Sequence, residues 1–148
     1  MNERCTPEAS PDAFDGDATS RSCWTLGANA CLRLGRFDEA LRRIRIGVLQ
    51  SRDAGDPPTL IATLDIASEV FLELDRPDTA ASVVGYVDGP ALGINLLRHS
   101  MRDHDMLCAE LRAALGDARY QQLTAEGAAM TVDEIAALAV GTVDELVG

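Results

Sequence analysis

Residues 24–40 read WTLGANACLRLGRFDEA, and forty positions on, residues 64–80 read LDIASEVFLELDRPDTA. This offset pairs Trp24 with Leu64, Ala28 with Ser68, Cys31 with Phe71, Leu32 with Leu72 and Leu34 with Leu74. It continues through Arg36 and Arg76, Asp38 and Asp78, and Ala40 and Ala80. A period of this length marks a chain built from repeated supersecondary units. Within each copy the apolar spacing is helical, breaks once, and resumes. Leu34-Gly35-Arg36 supplies the first break, where glycine can take the left-handed backbone that ends a helix. Leu74-Asp75-Arg76-Pro77 supplies the second, with Pro77 suited to the first turn of the following helix. Connections this short force the flanking helices to run antiparallel, and Ala40 and Ala80 let their backbones approach. Each copy is therefore expected to be a helical hairpin.

Outward from this pair, Met1–Ser20 holds five acids, one Arg and two prolines without apolar periodicity. Residues 1–20 read as a disordered or loosely ordered segment. From about Arg21 helical spacing persists, with none of the alternation or β-branched enrichment of strands. The expected fold is all-α, with residues 21–148 as a single domain of about two 40-residue hairpins and C-terminal capping helices. The cap is needed because two hairpins alone leave the ends of a stack exposed, roughly three being the usual minimum. Met101, Leu107, Cys108, Leu111 and Leu115 give one apolar face to a helix from about His99 to Leu115, ended by Gly116. A short helix over Asp117–Glu126 is expected to stop at Gly127. Thr131-Val132-Asp133-Glu134 is a capping box, and Thr142-Val143-Asp144-Glu145 repeats it. Two short terminal helices are expected, from about Val132 to Val140 and from Val143 to Val147.

The chain of 148 residues is about one domain long. Thirteen basic residues against 24 acidic give a net charge of −11, which disfavours direct binding to nucleic acid or to an anionic membrane. All the basic residues are Arg. Without Lys there is no Walker A loop, no Schiff-base nucleophile and no lysine general base. The N-terminus has no apolar signal region, and no apolar run approaches the ~20 residues of a membrane span. A soluble, cytoplasmic protein is expected. Cys5, Cys23, Cys31 and Cys108 fit no zinc or CxxC spacing and read as reduced thiols, although their number permits pairing.

Trp24, Ala28, Cys31, Gly35-Arg36-Phe37-Asp38-Glu39-Ala40 and Gly47 follow an order that resembles the tetratricopeptide repeat, with Trp24 at its large first position and Ala28 at its small one. Gly27 stands where that repeat carries Leu, and the period is forty rather than thirty-four. A second resemblance spans most of the chain after Trp24. Arg76-Pro77, Ala80-Ala81, Val84-Gly85, Leu111-Arg112, Leu115-Gly116, Tyr120, Ala125-Glu126-Gly127, Met130-Thr131, Glu134 and Ala137 are similar to the C-terminal helical region of LuxR-type and related ATP-dependent (STAND-like NTPase) bacterial regulators. In such proteins a P-loop NTPase precedes the repeats and a helix-turn-helix often follows. This chain carries neither motif, so the resemblance implies the interaction or sensor part alone. The partner it implies is a P-loop NTPase or regulator domain.

Residues 21–52 hold seven Arg and two acids. Arg42, Arg43 and Arg45 project from a helix whose other face carries Leu41, Ile44 and Val48. With Arg36 they form a stripe able to receive an acidic peptide, a phosphate, or the acidic segment 53–90 of a second copy in a homodimer. The competing reading is a solvated face, in which Asp38 to Arg42 and Glu39 to Arg43 are i,i+4 ion pairs. Trp24 is either the filler of the junction between hairpins or a platform for a ligand. His104 and Cys108, four apart, have the spacing of two metal ligands on one helix face, as do His99 and Asp103; neither pair has further ligands in register. Leu92, Ile94, Leu96 and Leu97 form a patch that marks a partner site if it lies in a loop. No catalytic constellation, cofactor motif or metal set stands out. The expected function is a non-enzymatic protein–protein interaction or sensor module, with Arg36, Arg42, Arg43, Arg45 and Trp24 as candidate partner-binding residues. A small-ligand-sensing helical domain and the remnant of a truncated regulator gene are the alternatives.

Overall fold

The computed structural model of the chain describes residues 18–88 and 101–147, and the side chains of 24–88 and 105–147. Within them lie seven α-helices and no strand: α1 (Ala18–Arg33), α2 (Phe37–Ala54), α3 (Pro57–Glu73), α4 (Pro77–Val87), α5 (Met101–Leu115), α6 (Asp117–Ala128) and α7 (Val132–Val147). The all-α class is as expected. Helix α1 starts at Ala18, slightly ahead of Arg21. The rest of the loosely ordered segment, the Leu92–Leu97 run and His99 lie outside the described residues.

The two breaks close with the same hydrogen bonds. Gly35 has φ +74°, and its N–H donates to Leu32 O at 3.1 Å while that of Arg36 donates to Cys31 O at 2.8 Å. Asp75 has φ +64°, and the equivalent bonds run from Asp75 to Leu72 O (3.1 Å) and from Arg76 to Phe71 O (2.7 Å). This pair of bonds satisfies the carbonyls a helix end leaves open. Asp holds in the second hairpin the left-handed position that glycine holds in the first. The α2–α3 turn uses the same device through Gly55. Asp56 then caps α3, accepting from the Thr59 N–H at 3.4 Å and the Thr59 hydroxyl at 2.7 Å.

Helix α1 packs on α2 and α3 on α4, and α3 lies against both helices of the first hairpin. The shared positions meet in the core: Trp24 and Leu64, Ala28 and Ser68, Cys31 and Phe71, and Ala40 and Ala80 are all buried. Leu41, Ile44, Leu64, Ile66 and Phe71 are fully enclosed. Each such side chain contributes about 1.5–3 kcal/mol relative to exposure.

The rest of the chain closes over α4, whose residues from Ala80 to Val87 are all buried. Helices α5, α6 and α7 all touch it, and α7 also covers α2. The α4–α6 crossing is backbone on backbone. A Cβ added to Gly85 would collide with the Thr124 carbonyl, and one added to Gly127 with the Ser82 carbonyl. Gly127 is therefore not a helix stop; α6 runs through it to Ala128, and the glycine is there to let α4 approach. The terminal segment also differs from expectation, because α7 is one helix rather than two. The first capping box forms, with the Thr131 N–H donating to Glu134 Oε1 at 2.9 Å and the Glu134 N–H to Thr131 Oγ1 at 3.2 Å. Thr142 instead donates its hydroxyl to Leu138 O, one turn back, at 2.8 Å. Ala139, Thr142 and Val143 are all buried, so continuing the helix keeps a packed face that a break would lose.

Candidate interaction surface

The arginines of the first hairpin separate into three environments. Arg36 and Arg42 are exposed and line an open depression of about 420 Å³ at the α1–α2 turn, with Phe37, Asp38 and Glu39. Arg45 turns to α7 and donates its Nε–H to Asp144 at 3.0 Å, with Arg76 and Glu145 at 4.0 Å nearby. Arg43 goes inward and is only 6% exposed. It crosses Gly27, where an added Cβ would stand 2.5 Å from Nη1. Its guanidinium lies 5.8 Å from the Trp24 ring centre and 3.5 Å from Glu39 Oε2. The glycine that breaks the repeat pattern at position 27 thus makes room for the arginine.

Trp24 sits with Arg43 inside the molecule. Gly47 brings α2 close to both the Trp24 Cβ and Thr63, at 3.7 and 3.2 Å from a built Cβ, so Trp24 is buried beside the contact between the hairpins. The Thr25 and Thr63 hydroxyls meet there at 2.7 Å. Beside them the Cys31 thiol donates to Glu39 at 3.4 Å. Burial and then the Glu39 carboxylate push that thiol above its usual range, with Arg43 opposing. A neutral, enclosed thiol is a poor nucleophile. Neither Cys31 nor Cys108 is joined in a disulfide.

The forty-residue offset exposes a feature that lies outside the arginine stripe. Leu26 and Ala30 of α1, and Leu34 in the turn that follows it, face solvent, with Leu26 63% and Leu34 68% exposed. Their counterparts are Ile66 and Val70 of α3 and Leu74 at its C-cap; the first two are 0% exposed and the third is half-buried. Ile66 and Val70 share a helix face with Thr63, which seats on the first hairpin through Thr25 and Gly47. The face that α3 uses to dock on the preceding hairpin is thus open on α1. The signal was present in the alignment of the copies, as Leu26 standing opposite the core position of Ile66.

A second depression, of about 160 Å³, lies between the ends of α1 and α3 and the middle of α5. Leu72, Leu107 and Met106 form its apolar part, and Glu69, Glu73, Glu110 and Arg33 its polar part. Arg33 reaches Glu69 at 3.2 Å. On the α4–α6 side, Arg112 lies 5.0 Å above the Tyr120 ring. Burial foremost, then the Cys108 thiol, push the Tyr120 hydroxyl up to about 12, against the pull of Arg112.

His99 and the His104 side chain fall outside the described residues, and among those residues no three His, Cys, Asp or Glu side chains come together as a metal site. No described helix is long and apolar enough to cross a membrane. No protein-family model, curated protein or solved structure matches the chain.

Proposed function

We propose that this chain is a non-enzymatic protein-interaction module of tetratricopeptide-like hairpins that docks a helical hairpin of a partner protein on the open face of α1. The observation that carries the reading is the contrast between Leu26, 63% exposed, and its repeat counterpart Ile66, which is fully buried. Inside the chain, the α1–α2 hairpin covers this face of α3. A helical pair of similar shape is therefore the occupant that fits α1. The resemblance to STAND-like regulators supplies a concrete partner class, a P-loop regulator working in trans. Arg36 and Arg42, beside the α1–α2 turn, would supply charge at the edge of the contact. Arg43 and Trp24 act from inside, holding the hairpins in register.

Leu26→Asp/Leu34→Asp tests this directly. Both side chains point to solvent, so the variant retains the thermal stability of the parent chain and loses its partner on co-purification. A double variant that still recovers the same partner at the same yield overturns the reading.

A further inference from the structure

We infer that the depression between α3 and α5 is a second recognition site, selective for a cationic segment of a protein partner in which Arg or Lys alternates with Leu-sized residues. It stands independently of the docking face on α1. Among the described residues, three carboxylates, Glu69, Glu73 and Glu110, ring the site, against one guanidinium, Arg33, that already pairs with Glu69 at 3.2 Å. Glu73 and Glu110 are exposed, each one helical turn or less from an apolar member of the site, Leu72 and Leu107 respectively. Met106, 56% exposed, extends the apolar part out to solvent. The depression, about 160 Å³ and open to solvent, has room for one side chain of Leu size, so the contact is one apolar side chain with its flanking residues. The charge sign then selects among peptides. An acidic segment would meet two excess carboxylates within a molecule of net charge −11, whereas a cationic one is attracted by both the rim and the whole-molecule field.

The two arms of this chemistry, apolar side chain and flanking cation, separate experimentally. A short rhodamine-labelled peptide of alternating Arg and Leu is titrated with the full chain by fluorescence anisotropy at low salt. Glu73→Gln/Glu110→Gln is expected to weaken binding about five- to tenfold, since each rim charge acts in high dielectric. Asp53→Asn/Glu126→Gln makes the same change in net charge elsewhere and is expected to leave affinity within about twofold, as distant surface charges are screened. Met106→Ser weakens the Arg–Leu peptide but not an Arg–Ser peptide. Equal losses in the two neutralised variants would reduce the effect to the general field of an acidic protein and overturn the site, as would no binding at all. Leu26→Asp/Leu34→Asp leaves this titration unchanged, so the α1 face and this site fail separately.

Discussion

The substitution Gly85→Ala adds one methyl group to α4 where α6 crosses it. Built on the backbone, that Cβ stands 2.6 Å from both the carbonyl carbon and the Cα of Thr124. Carbon atoms attract best at about 3.5–4.0 Å, so the helices must separate by about 1 Å. The obstacle is main chain and cannot rotate aside as a side chain would. Tyr120 and Leu123 of α6, both buried, lose contact as the helix lifts. Overpacking of this kind costs about 3 kcal/mol or somewhat more. The better helix propensity of alanine returns up to ~1 kcal/mol. The net loss is about 2–3 kcal/mol, or roughly 5–10 °C in Tm for a chain of this size. Gly141→Ala is the matched control: it lies inside α7 with nothing within 4 Å of the added atom. There only the propensity gain remains, and stability rises by about 0.5–1 kcal/mol. Urea unfolding followed by far-ultraviolet circular dichroism measures both. A Gly85→Ala chain as stable as the parent, or shifted in the same direction as Gly141→Ala, would refute a backbone-contact crossing.

Asp75→Gly is expected to stabilise the chain by about 0.5–1 kcal/mol, because it removes a side chain from a left-handed position, while Gly35→Ala loses about as much; thermal melts of the two variants check the signs. Thr131→Ala removes a working cap and is expected to cost about 1 kcal/mol, whereas Thr142→Ala, inside a continuous helix, shifts the urea midpoint much less. Burial raises the hydroxyls of both Tyr86 and Tyr120, the latter to about 12. A folded pKa above the unfolded value means the stabilisation is whole below pH 10 and is lost as pH rises from 10 towards about 12. Absorbance at the tyrosinate band should therefore titrate later in the folded chain than in urea, and Tyr86→Phe/Tyr120→Phe should flatten the alkaline loss of stability.

The hairpins were legible because their signals are local. Apolar spacing, a left-handed break at Gly35 and a proline at the start of α4 each act within a turn or two. Asp75 was readable as a break from its neighbours even though its side chain is not the favoured one. What escaped was set by distant parts of the chain. Gly127 looks like a stop from its own helix, and only the Ser82 backbone across the crossing gives it another purpose. Thr142 carries a complete capping-box pattern, overridden because the face it shares with Ala139 and Val143 is buried. The arginine stripe was read from one helix, whereas Arg43 is drawn inward by the space above Gly27 and by Glu39, and Arg45 is turned aside by Asp144. Leu26 was legible in principle, by asking which residue of one copy stands opposite the core residue Ile66 of the other.

The claim that α1 is a docking face is tested most directly by photo-crosslinking. Lysine-directed reagents find no side chain to react with here, since the chain has no Lys. A photoreactive side chain placed at position 26 or 34, in separate preparations of the full chain, is irradiated in lysate of the native organism beside one placed at exposed position 113 of α5. One discrete adduct is expected, shared by positions 26 and 34 and absent at 113, joining the chain to a different, helix-rich protein. Adducts no more frequent at 26 and 34 than at 113, or a single adduct of twice the chain's own mass, would contradict it.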